Sequence, residues 1–403
     1  MNLRMNFLRE LPARATLAMR LALLGTSLTF PALAAPARAS NDLTAIKHEV
    51  VRNYAAIAGA IYQDACHSAT SLRVKVDDLL QHPSPTTLSA ARAAWIKARE
   101  PFLQAEVFRF YEGPIDRLDG RINAWPVDET YIDYVKEDPV AGIINRPDLY
   151  PELSLQLIES LNEKEGEKSI SSGFHAIEFL LWGQDLDPKG PGSRSYLDYV
   201  SDGPVAHVQR RRKYLLLVTD LLVSDLHALA EQWADHKPDN YRAWFIASPP
   251  HQSLRKILHG MGSLSATELA GERLTVPYET KEQEDEHSCF SDTTCGDVIF
   301  DTVGIRNVYA GYYVTGEGTR IEGPGIDRLL REVDPDLAAK LTEQIQASVE
   351  AARAIPSPFD QAVLGDDQAV GRKAIHHTIS CLLRQSETIA KAAALLGVRD
   401  ETE

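Results

Sequence analysis

Residues 41–80 read NDLTAIKHEVVRNYAAIAGAIYQDACHSATSLRVKVDDLL. Val50, Tyr54, Ile57, Ile61 and Tyr62 recur three to four positions apart, the spacing that lays one apolar stripe along a helix. Asn41 or Asp42 can cap its start, and the HPSP that follows breaks it. The same period returns along the chain. It predicts helices over 86–111, with Pro101 as a kink or boundary, and over 195–235, where Leu215, Leu216, Val218, Leu221, Leu222, Leu226 and Leu229 give the apolar face. Two more are expected over 334–355 and 366–396. Alternating β-branched runs are nearly absent, so the expected class is all-α and bundle-like.

Two irregular stretches interrupt the pattern. Residues 119–151 are rich in Pro, Gly and Asn, with short helical pieces at most, and 271–297 contain the acidic run ETKEQEDEHSCFSD. EGPIDRL, residues 112–118, is echoed by EGPGIDRL, residues 322–329. That echo, about half a chain apart, suggests two related helical halves, a divergent duplication. The expected division is 1–39, 40–195 and 196–403.

The first 39 residues read as an export signal. Arg4, Arg9, Arg14 and Arg20 precede the apolar stretch 21–35, and small-x-small sites follow at 32–34 and 37–39. The apolar stretch is short for a membrane span and contains Pro31. No cysteine lies nearby to carry a lipid. The expectation is a soluble protein of the periplasm or cell envelope, not lipid-anchored. A net charge of −15 repels phosphate backbones, so nucleic acid is not an expected partner. In an oxidising compartment the four cysteines predict Cys289–Cys295 and Cys66–Cys381 disulfides. A cysteine zinc site is the alternative, though a C-x5-C pair without a second close pair is poor zinc spacing.

The chemistry concentrates in GFHAIEFLLWG, residues 173–183. Ser171 or Ser172 can cap this helix and Gly183 can end it. His175 and Glu178 stand three apart, hence on one face, with Phe179 and Trp182 continuing their stripe and Phe174, Ile177 and Leu181 beside it. A helix so apolar is expected to be buried. Its two ionisable groups then either satisfy each other or hold a metal ion. Imidazole with carboxylate suits iron, zinc, manganese or copper better than calcium or magnesium.

GFHAIEFLLWG resembles the G-x-H-x-x-E signature of the imelysin-like family, which includes bacterial iron-regulated periplasmic proteins. Residues 94–116 (AWIKAREPFLQAEVFRFYEGPID), 122–135 (INAWPVDETYIDYV) and 284–313 (EDEHSCFSDTTCGDVIFDTVGIRNVYAGYY) resemble further stretches of that family. The resemblance implies two helical-bundle halves, a site near their junction and an association with iron acquisition. It carries Gly173, His175 and Glu178 over directly. Glu100 or Glu106 is the candidate third ligand, although six positions do not share one face of an ideal helix. Trp125, Asp128, Ser288, Ser291 and Asp292 are candidates to line the junction. Family members often carry histidine where this chain has Cys295, which trades a ligand for a crosslink.

The expected function is iron binding in the periplasm, with zinc or another divalent metal as the alternative ion. A membrane iron-transport component is the expected partner. The family's peptidase label offers a second reading, but H-E-x-x-H, its inverted form and G-x-S-x-G are all missing from the sequence. A structural envelope protein with a buried His–Glu pair is the third.

Overall fold

The computed structural model describes residues 37–187 and 189–398. The expected export signal lies almost wholly outside them. Long helices dominate: α1 (Ala37–Gln81), α2 (Pro85–Ala105), α3 (Gly173–Trp182), α4 (Val208–Gln232), α5 (Pro250–Ser263), α6 (Thr294–Ala310), α7 (Pro335–Arg353) and α8 (Val370–Leu395). The fold is therefore helical, as the periodicity predicts. One small antiparallel hairpin, Tyr312–Val314 against Arg320–Glu322, was not foreseen.

The helix boundaries follow local chemistry. Ser84 caps α2 by accepting from Thr87 N–H, and Asp334 caps α7 by accepting from Leu337 N–H. Pro85 and Pro335 sit in the first turns, where a missing N–H costs nothing. Pro101 lies inside α2, which ends four residues later and passes into a tight turn at Glu106–Phe108. The segment after α5 differs from expectation: instead of a loop from 271, residues Leu264–Thr275 form widened π-helical turns. Such turns are uncommon and recur at functional sites.

α1 packs along α2 and α4, and α3 lies against α2 and α4. The helix at 208–232, expected to open the second half, thus packs with the first. The second group pairs α7 with α8, and α8 with α5 and the π-helical turns. α6 joins the two groups by packing on both α2 and α7. Gly304 makes that crossing close: a Cβ there would stand 2.5 Å from Gln104 O. The two sequence echoes meet neighbouring residues of α1. Tyr111, just before the first copy, shares a 2.8 Å hydroxyl contact with Tyr54, and Asn53 Nδ2 donates to Pro324 O of the second at 3.2 Å.

α3 is buried along its whole length. Trp95 donates its indole N–H to Phe174 O at 2.9 Å and packs its ring against Phe174 and Trp182. Each such apolar side chain contributes about 1.5–3 kcal/mol on burial. The carbonyls that end α3 are satisfied too: Arg92 donates to Leu181 O at 2.9 Å and Arg194 N–H to Trp182 O at 2.7 Å.

Candidate metal centre

Gly173 begins α3 with φ +84°, and a Cβ there would lie 2.5 Å from Ile122 O. Only glycine combines that left-handed geometry with so close a backbone approach, which accounts for the first letter of the motif. Ser172 occupies the cap position, yet its hydroxyl donates to Arg121 O, and that of Ser171 to Ile158 O. The expected serine cap is therefore replaced by ties to neighbouring segments. Gly183 ends the helix as expected, its N–H reaching Phe179 O.

His175 and Glu178 are 1 % and 0 % exposed. His175 Nδ1 lies 2.8 Å from Glu178 Oε2. Glu178 Oε1 accepts from Ser291 N–H at 2.9 Å and from its hydroxyl at 2.6 Å. Both carboxylate oxygens are thus engaged, whereas His175 Nε2 is buried without a hydrogen-bond partner. Burial, then Arg99 and His287, pushes His175 well below the usual histidine range. Burial raises Glu178 to about 8 against the opposing Ser291 hydrogen bond.

A second imidazole faces the first. The ring centroids of His175 and His287 are 4.7 Å apart with planes at 66°. His287 Nδ1 lies 2.7 Å from Asp297 Oδ2, which also accepts from Ser288 Oγ at 2.5 Å and Arg99 Nη2 at 2.9 Å. Arg99 also donates to Asn123 Oδ1. Burial and the Arg273 guanidinium hold His287 below its usual range. Two carboxylate–imidazole pairs, one from α3 and one from the loop entering α6, therefore meet edge to face. A carboxylate on Nδ1 orients the ring and leaves Nε2 as the available donor, the arrangement that supports metal-binding histidines.

His287 lines a cavity of about 390 Å3 with Trp125, Asn123, Asp119, Arg109 and Arg273, and its walls also carry Glu163, Glu167, Glu268 and Glu272. Trp125 packs edge-on against His287 at 5.6 Å, and its indole nitrogen has no hydrogen-bond partner. Trp125 thus lies against His287, Ser288 against Asp297 and Ser291 against Glu178.

Other expected site residues lie elsewhere. Glu100 pairs with Lys97 and lines a separate cavity of about 540 Å3 with Asp64 and Tyr313. Glu106, six residues on, lies past the end of α2 in the Glu106–Phe108 turn, and Pro101 does not bring the two together. Glu106 is buried in an ion network, with Arg109 at 2.7 Å and Arg273 at 2.5 Å, and Arg273 reaches Asp301 at 2.6 Å. Burial alone would raise Glu106, but the two guanidiniums outweigh it and hold it below the usual range. Asp128 is an exposed cap that accepts from Thr130 N–H at 3.0 Å. Burial, with Asp185 and Asp360 nearby, raises Asp292 to about 7.

All four cysteines are free thiols, so neither expected disulfide is present. Cys66 sits on α1 near Glu231 of α4, whereas Cys381 lies on α8 beside His377 and Arg384, in the other helix group. Cys295 enters α6 and donates to Pro356 O at 3.5 Å. Burial raises Cys295 to about 12 and Cys289 well above its ordinary value.

The sequence reading missed His287, Arg99 and Asp297. Each carried a signal. His287 precedes Ser288 inside a family-like stretch, Arg99 falls on the buried stripe of Trp95, Ala98 and Phe102, and Asp297 and Asp301 share a helical face. Among the described residues, no group of three His, Cys, Asp or Glu side chains is arranged to hold a metal ion. No helix among them is long and apolar enough to cross a membrane.

The comparisons with known proteins agree with this architecture. Iron-regulated protein A of Synechococcus elongatus is 26 % identical over 308 residues, covering 74 % of this chain and 73 % of that protein. The crystal structure of an iron-regulated protein A precursor from Parabacteroides distasonis superposes with a TM-score of 0.66 at 21 % identity, over 89 % of this chain and 97 % of that one. An imelysin-like protein from Psychrobacter arcticum gives 0.60 at 14 % identity, over 90 % and 97 %. The family model described as Imelysin (Peptidase M75) matches residues 58–389. Most of the chain is covered, and it belongs to the imelysin family.

Proposed function

We propose that this protein binds iron in the bacterial cell envelope, at the paired imidazoles of His175 and His287. The observation that carries the reading is the unpartnered Nε2 of buried His175, on a ring oriented by Glu178 and facing a second carboxylate-tied ring. A buried polar nitrogen left bare is costly unless something binds it. These residues fit iron as follows. His175 supplies the nitrogen donor, and His287, with Nδ1 tied to Asp297, is the second candidate. Glu178 and Asp297 set the tautomers, so Glu178 acts through His175. Imidazole nitrogen suits iron, zinc or copper. The acidic cavity beside His287 favours arrival of a cation. The family's iron-regulated members and the export-like N-terminus support the setting, and delivery to a membrane iron transporter is the partnership that suits it.

Metal analysis of protein purified without chelator tests this. Iron bound by wild type and lost in His175→Ala is expected; equal iron content in both refutes it. A second reading has its own observation: both Glu178 oxygens are engaged and, among the described residues, no three-ligand group is present. On that reading the pair only braces the helix junction. It predicts no metal in either protein and a large stability loss on truncating either partner.

A further inference from the structure

The imidazole centre borders a cavity that the iron reading leaves unused. His287 lines it, and Asp119, Asn123 and Trp125 line it from a single stretch of chain. Direct contacts join that stretch to the centre. Trp125 stands edge-on to the His287 ring, with centroids 5.6 Å apart. Arg99 donates to Asn123 Oδ1 and brings Nη2 to 3.3 Å from His287 Nδ1.

Three polar atoms of this wall are shielded from solvent without a hydrogen-bond partner: Trp125 Nε1, Asn123 Nδ2 and Asp119 Oδ1. The first two are donors and the third is an acceptor. The companion atoms are already used, Asn123 Oδ1 by Arg99 and Asp119 Oδ2 by Arg109 at 2.7 Å. The guanidiniums of the wall are committed too. Arg109 also holds Glu106, and Arg273 holds Glu106, Glu268 and Asp301. They brace the cavity, which leaves the three bare atoms to choose its guest. Each is costly until satisfied. A guest that satisfies all three offers oxygen acceptors to the indole and amide N–H groups and a hydroxyl to Asp119. A carboxylate beside a hydroxyl is the simplest such group, and its oxygens also chelate iron. The centre has room for them. His175 and His287 offer ring nitrogens, and among the described residues no group of three His, Cys, Asp or Glu side chains is arranged to hold a metal ion. Charge agrees as well. Glu163, Glu167 and Glu272 are exposed along the cavity, so they repel a free carboxylate but not one whose charge iron cancels. The volume of about 390 Å3 lies within the range of small-molecule sites.

We propose that this cavity holds a small hydroxycarboxylate that enters with iron as its chelate, recognised by Trp125, Asn123 and Asp119. The inference rests on the iron reading above and names the form in which the iron is bound. The carboxylate and hydroxyl oxygens of the guest complete the coordination that the imidazoles begin, and the hydroxyl proton is donated to Asp119 Oδ1.

The test is equilibrium dialysis of the purified, metal-free protein against radiolabelled citrate, with and without iron, counting both citrate and iron. Citrate is expected to bind in proportion to iron, and at least about tenfold more weakly when iron is withheld or in His175→Ala. Trp125→Phe keeps the ring against His287 and removes only the N–H. Asn123→Asp keeps an acceptor for Arg99 and removes the amide donor. Each is expected to weaken citrate binding in the presence of iron about tenfold, the effect of one hydrogen bond to a charged group. Tricarballylate, which is citrate without its hydroxyl, tests the Asp119 contact on the wild-type protein and is expected to bind about tenfold more weakly. Iron bound without citrate overturns this inference and leaves the iron reading standing, whereas binding of neither overturns both. Citrate binding that ignores iron, or that is unchanged in both Trp125→Phe and Asn123→Asp, overturns it too. Tricarballylate bound as well as citrate overturns the choice of a hydroxy acid.

Discussion

Replacing Glu178 by glutamine separates charge from shape at the centre. In wild type, Glu178 Oε1 is fixed by two donors from Ser291, so Oε2 alone faces His175 Nδ1 at 2.8 Å. When the carboxylate is ionised, Nδ1–H donates to it and Nε2 keeps its lone pair for a metal. Glutamine can still accept from Ser291 with its carbonyl, but its amide then donates to Nδ1. That forces the proton onto Nε2 and blocks the donor. Flipping the amide instead sets its NH2 against the Ser291 donors. Loss of such an orienting carboxylate costs about 10- to 100-fold in metal affinity, about 1.4–2.7 kcal/mol. A pH signature accompanies it. Glu178 carries a proton up to about pH 8, so metal binding in wild type must expel it, and affinity climbs up to about tenfold per pH unit below that point. Anaerobic calorimetric titration with Fe(II) between mildly acidic and mildly alkaline pH measures both. The expected result is weaker binding by Glu178→Gln with a shallower pH slope. Equal affinity and an equal slope would refute the tautomer argument, even if the site binds iron.

Further expectations follow from the same geometry. Gly173→Ala places a Cβ 2.5 Å from Ile122 O at φ +84°, so it is expected to cost at least about 2 kcal/mol and lower the melting temperature; an unchanged melt contradicts the close-approach account. In metal-free protein, the folded-state value of Glu178 is raised from 4.5 to about 8. The folded chain therefore holds a proton that the unfolded chain has released. This contribution is fully present below about pH 4.5 and is lost as pH rises toward 8, at up to about 1.4 kcal/mol per pH unit. Denaturant melts across that window should show a smaller decline in Glu178→Gln than in wild type. Glu100→Gln, on the Lys97 side of α2, is expected to leave iron affinity unchanged, and a tenfold loss on titration would return Glu100 to the centre.

The helical class and the burial of α3 were readable before any coordinates, because both rest on local rules. A 3.6-residue apolar period needs only a short window, and α3 is apolar on adjacent stripes. The pairing of His175 with Glu178 was equally local, a consequence of three-residue spacing on one helix. What those groups do next depends on residues more than a hundred positions away. Ser291 occupies one oxygen of Glu178, and His287 presents its ring to His175. Nothing in the period of either segment encodes that meeting, which comes from α6 crossing α2 at Gly304 and drawing the 286–294 strap over α3. The same crossing explains the misplacements. Glu100 and Glu106 look equivalent along the chain, but Glu106, in the turn after α2, meets Arg273 from the π-helical turns, whereas Glu100 on α2 meets the hairpin side. Periodicity alone determined which segments are helices and which two ionisable groups share a turn. Only the packing decided which nitrogen is left bare, because hydrogen-bond saturation in a buried site is a property of all the surrounding elements together.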